Sequence, residues 1–129
     1  MKDENKIDGR SLRQKTIYDE SQLKLIQSAI ELLQDPDIDH KDINVSTIAK
    51  NAGTSVATAY NHFPNNMVDV YGAIFNSAFQ GNEKKLLDYF KSVEDAKLRI
   101  NKFVELQAET IIKLGPAARY AFFNINEIV

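Results

Sequence analysis

The sequence predicts an all-α protein, and three observations carry that expectation. Apolar residues recur at spacings of three and four along most of the chain, which places them on one face of a 3.6-residue helix. Strict apolar/polar alternation, the mark of a half-buried strand, is absent, and so is any internal repeat. Breaks rich in Pro, Gly or Asn fall between the periodic segments and divide them into about seven helices.

Residues 1–10, MKDENKIDGR, are polar and unpatterned, so residues 1–16 are expected to form a flexible basic arm carrying Arg10, Arg13 and Lys15. From about Ile17 to Leu33, the residues Leu23, Ile26, Ala29, Ile30 and Leu33 make one helical stripe. DPDIDHKD breaks it: Pro36 removes a backbone donor and the aspartates favour local turns. Ile38 is the apolar anchor of this loop, and His40 reads as a solvated turn residue. Asn44 is placed to cap a helix of two turns whose apolar face is Val45, Ile48, Ala49 and Ala52. Gly53 ends that helix, because glycine enters the left-handed region without a Cβ clash. Ser55 caps a second short helix with Val56, Ala59 and Phe63 on one face, and PNN closes it.

A helix follows from about Met67 to Phe79, with Asn66 as its cap and Asp69 as capping partner. EKKLLDYFKS reads as the next, with Leu86, Leu87 and Phe90 inward. Ser92 and Asp95 read as a capping box for a longer helix over 95–114, its stripe being Phe103, Val104, Gln107, Ile111 and Leu114. Gly115 and Pro116 stop it, and a last helix runs toward Val129. Tyr89, Phe90, Phe103, Tyr120, Phe122 and Phe123 are expected mainly in the core of this later part.

Composition narrows the function classes. A chain of 129 residues without cysteine has no disulfide framework, thiolate nucleophile or cysteine-ligated zinc. The two histidines, His40 and His62, are too far apart in sequence for helical metal spacing. Asp35, Asp37 and Asp39 lack the glycine and closing glutamate of a calcium loop. No glycine-framed nucleophile elbow occurs, so neither catalytic residues nor a metal nor a cofactor is expected. No apolar run is long enough to cross a bilayer and the first residues lack a signal segment, so a cytoplasmic protein without membrane association is expected.

Charge is unevenly placed. The chain carries a net −2, yet none of its 18 acids lies between Ile43 and Val68. Within that window two short helices flank a glycine turn, which are the proportions of a helix-turn-helix. Ala49 must be small because the second helix crosses close above it, and Ile48, Ala59 and Phe63 must be apolar to hold the pair. With Ala59 and Phe63 inward, a rotation of 100° per residue puts Ala57 and Asn61 on the far side, flanked by Thr58 and Tyr60. Such a face suits a major groove: asparagine pairs bidentately with adenine, and alanine or threonine methyls meet thymine methyls. Hydroxyls, a phenol and an imidazole contact phosphates, and an acid would be repelled by them.

The order TIAKNAGTSVATAYNHF, followed by an apolar helix, resembles the DNA-binding motif of the tetracycline-repressor (TetR) family. Ile48, Ala49, Ala52, Gly53, Ser55, Thr58, Tyr60, His62 and Phe63 carry the match, and the layout of helices extends it over about residues 17–129. The resemblance implies a DNA-binding domain over residues 17–66, followed by a linking helix and part of a ligand-binding and dimerisation domain over 67–129. It implies DNA contacts from Thr58, Tyr60 and His62, and operator selection by Val56, Ala57 and Asn61. Thr47, Ser55 and Asn66 complete the candidate DNA-binding set. It further implies a ligand-responsive repressor that binds a palindromic double-stranded DNA operator as a homodimer and releases it for a small-molecule effector.

Three departures from the family pattern stand out. Asn66 or Met67 holds the place of a phosphate-binding lysine, and the helix after it is displaced by one residue so that Val70 takes a leucine position. Family members also typically continue into two helices that pair across the dimer, so the regulatory domain is expected to be incomplete here. The alternative expectation is a helical protein-binding module, or a small-molecule carrier, that keeps the fold without operator binding.

Overall fold

Capping chemistry and apolar spacing together set the helix boundaries. In the computed structural model, which describes residues 9–118 and 120, the chain is all-α. The helices are α1 (Gly9–Gln34), α2 (Val45–Ala52), α3 (Val56–His62), α4 (Met67–Phe79), α5 (Asn82–Ser92) and α6 (Ala96–Leu114), with a 3-10 turn at His40–Asp42. Residues 116–118 and 120 are helical too, at the start of the expected last helix; the rest of it, with Phe122 and Phe123, lies outside the described residues.

α1 begins at Gly9 rather than near Ile17, so residues 9–16 are helical instead of forming a loose arm. Arg, Leu, Gln and Lys are good helix formers, no proline interrupts them, and the Thr16 hydroxyl donates to the Leu12 carbonyl at 2.9 Å. Every residue from Gly9 to Glu20 is exposed, so these turns stand clear of the core. The buried stripe below them is Leu25, Ile26, Ala29 and Leu33, while Leu23, expected inward, is 61% exposed. Six residues before Ala29, Leu23 is rotated about 120° from it, whereas Leu25 lies one turn directly behind.

The two short helices form as their caps dictate. The Asn44 side chain accepts from the Thr47 amide and the Thr47 hydroxyl accepts from the Asn44 amide, a reciprocal capping box. Gly53 ends α2 at φ 73°, in the left-handed region. Ser55 caps α3 by accepting from the Thr58 amide at 3.1 Å.

A single buried cluster joins α1, α2, α3 and α4 to the end of α6. Leu25, Ala29, Ile48, Ala49, Ala59, Phe63, Val70 and Ile74 are all within 1% of full burial. Leu114, Ala117 and Ala118 belong to the same cluster, and the Gln34 amide donates to the Leu114 carbonyl at 2.9 Å. Ile38 packs on it as expected, but His40 is not merely solvated: its ring stacks on Tyr120 at 4.7 Å.

α5 and α6 pair differently. Asn82 is buried, and its side-chain nitrogen donates to the Gln107 side-chain Oε1 and the Thr110 hydroxyl, each at 2.9 Å. Arg99 donates to the Val93 and Phe90 carbonyls at 2.7 and 3.0 Å, which satisfies the end of α5 with a cation. Asp95 alone caps α6, accepting from the Leu98 amide, while the Ser92 hydroxyl turns back to the Tyr89 carbonyl; the expected capping box is not formed. Leu106, Thr110 and Leu114 face inward on α6, whereas Phe103, Val104 and Ile111 of the expected stripe are exposed, as is Leu87 on α5. Of the apolar members of that stripe only Leu114 joins the core, and the others lie open to solvent.

Candidate nucleic-acid interface

The candidate face is built from behind. Ala59 and Phe63 bury one side of α3 completely, and Ala49, also fully buried, lets α3 approach α2 closely. A latch holds α2 on α1: the Ser28 hydroxyl donates to the Ile48 carbonyl at 2.9 Å, and the Asn51 amide nitrogen donates to the Ser28 oxygen at 2.9 Å. In the turn, the Thr54 amide donates to the Ala49 carbonyl at 3.0 Å.

With that side fixed, Ala57, Tyr60 and Asn61 are exposed and Thr58 is half-buried. The Ser55 and Thr58 hydroxyls bond each other at 2.7 Å, so two candidate residues form one unit at the start of α3. Val56 packs partly against the core, which leaves little of its side chain outward. Thr47 is half-buried, and its hydroxyl is engaged by the α2 cap.

His62 turns inward. Its ring stacks on Tyr18 of α1 at 4.0 Å, and its Nδ1 lies 3.2 Å from the Gln22 Oε1. Burial pushes its pKa below the ordinary value of 6.5. A ring stacked on Tyr18 and met at its Nδ1 edge by Gln22 serves the α1–α3 junction. Tyr18 and Gln22 were not singled out in the sequence; their one-turn spacing on α1 was the available signal.

Asn66 stands apart at the turn into α4, exposed and at φ 60°, with no side-chain capping bond. Asp69 caps elsewhere: its carboxylate accepts from the Asn65 amide at 2.7 Å and from the Asn65 side chain at 3.3 Å. The expected pairing of Asn66 with Asp69 is therefore replaced by an Asn65–Asp69 pair. A carboxylate in the first turn of α4 suits the helix dipole. It also puts negative charge beside the position where the resemblance expects a lysine.

Among the described residues no group of three or more His, Asp or Glu is arranged to hold a metal ion, and no helix is long and apolar enough to cross a membrane. No family model, curated protein or solved structure matches the chain.

Proposed function

We propose that this protein is a sequence-specific DNA-binding transcriptional regulator of TetR type, a ligand-responsive repressor. One observation carries the reading: α3 is braced from behind by Ala59 and Phe63 and offers Ala57, Tyr60 and Asn61 to solvent, within a window free of acids. A helix so presented fits a major groove, where Asn61 pairs with a base edge and Ala57 meets a thymine methyl. Tyr60 and the Ser55–Thr58 hydroxyl pair supply phosphate contacts.

Two copies would set two α3 helices about one DNA turn apart, roughly 34 Å, on a palindromic operator. The exposed stripe of Ile100, Phe103, Val104 and Ile111 on α6 supports self-association, since contiguous apolar surface favours burial against a partner. A small-molecule effector held by the helices after Glu83 acts through α4, whose Val70, Tyr71 and Ile74 are buried against the α1–α3 core. It drives release only by binding the two α3 spacings with different affinity.

The test is selection of duplexes from a random pool, followed by affinity measurements across a salt series. The expected result is log K falling linearly with log salt, with a slope of about −0.9 per phosphate contacted, and a loss of sequence preference in Asn61→Ala. Failure to bind any duplex at low salt would overturn the reading. A second reading, a helical protein-binding module, is favoured by Asp69 at the first turn of α4, whose charge repels phosphate. Capture of a protein partner that is lost when Phe103 and Ile111 become Ser, with no duplex bound, supports that reading instead.

A further inference from the structure

A groove of about 1290 Å³ runs between α1 and α4 and reaches the end of α3. Its lining contains two carboxylates, Asp19 on α1 and Asp69 on α4, and neither lysine nor arginine. The stacked rings of Tyr18 and His62 form an aromatic wall, and Tyr18 remains 47% exposed. Gly72 opens the opposite side: a Cβ built there would meet nothing within 4 Å.

We infer that this groove binds a small organic cation, an amine carried on a flat apolar body. Charge complementarity selects the sign, because two acids from facing helices draw a cation and no basic residue in the lining competes with it. The aromatic wall suits the body, since a ring stacks on tyrosine and its cationic edge is attracted by the π face. Burial disfavours the charged form of His62 in that wall. The space beside Gly72 admits a ring that any larger residue would displace. The groove shares Asn61 with the proposed DNA face, and its cation binding is tested without DNA.

The protein contains no tryptophan, so the fluorescence of an indole probe is seen without protein indole background. Tryptamine, tryptophol and indole-3-propionate share one ring and differ in charge. Anisotropy titrations should show tryptamine binding most tightly, tryptophol more weakly and indole-3-propionate least. Asp19→Asn combined with Asp69→Asn should weaken tryptamine about tenfold, the size expected for two partly exposed charges. Asn at position 69 keeps an acceptor oxygen for the Asn65 amide. Gly72→Leu should abolish binding, with circular dichroism and thermal melting confirming that the fold survives. Equal binding of the three probes, or unchanged tryptamine affinity in a folded Gly72→Leu protein, would overturn the assignment. Asp19→Asn alone, at an exposed position, gives a second reading of charge that does not depend on the α4 cap.

Discussion

The α2–α3 pair and the α5–α6 pair are both helical hairpins, and they are held by opposite means. Between α2 and α3 the contact is apolar and made by small residues: Ala49 and Ala59 are fully buried, with Ile48 and Phe63 beside them. Between α5 and α6 the anchors are polar: Asn82 on Gln107 and Thr110, and Arg99 on two carbonyls. Apolar residues of the second pair are instead left outside, Ile112 at 77% and Ile100 at 63% exposed. The first pair spends its apolar surface on itself and offers solvent a polar face. The second keeps apolar surface uncovered, in a form that a further layer of protein would cover.

The largest effect should come from the apolar hairpin. Phe63→Ala removes a fully buried ring and should cost about 3–5 kcal/mol in urea unfolding, whereas Phe103→Ala on α6 should stay within about 0.5 kcal/mol. If the two substitutions cost the same, the contrast between the pairs fails. Next, Asn82→Ala should cost about 1–2 kcal/mol, and combining it with Thr110→Val should cost less than the sum, because both act on one hydrogen-bonded unit. Strict additivity would mean that Asn82 is not the lock of the second pair.

A smaller gain is expected at the turn between α3 and α4. Asn66 sits at φ 60° and makes no side-chain cap, so Asn66→Gly should raise stability by about 0.5–1 kcal/mol in thermal melts. The smallest effect concerns His62. Burial lowers its folded pKa below 6.5, so the unfolded chain binds the proton more readily. Its contribution is present above pH 6.5 and is lost as pH falls through the folded pKa. His62→Gln should flatten the dependence of unfolding free energy on pH just below 6.5, and an unchanged slope would assign that dependence to other groups.

What the sequence made legible is what local chemistry decides. Asn44, Ser55, Gly53 and Gly115 each act within a few residues of themselves, and each stands at the helix end where its side chain or backbone freedom predicts it. The inner side of α3 was equally readable, because Ala59 and Phe63 share a face only one way round. Positions set by distant partners were not. His62 faces inward because Tyr18 and Gln22, some 40 residues earlier, meet it. Periodicity on α6 revealed an apolar stripe but not its orientation, because its inward face uses Thr110, whose hydroxyl is satisfied by the Leu106 carbonyl. Asp69 could cap Asn65 or Asn66 by spacing alone, and the positive φ of Asn66 goes with the former.

The contact of Gln34 with the Leu114 carbonyl joins positions 80 apart in the chain, and Ala117 and Ala118 lie in the same core as Ala59 and Phe63. During synthesis, which proceeds from the amino terminus, α2 and α3 leave the ribosome long before those residues exist. Closing so long a loop is also slow relative to local helix formation. The buried cluster that α3 belongs to is thus completed only when residue 118 has emerged, and a nascent chain halted earlier carries both short helices on an unfinished core.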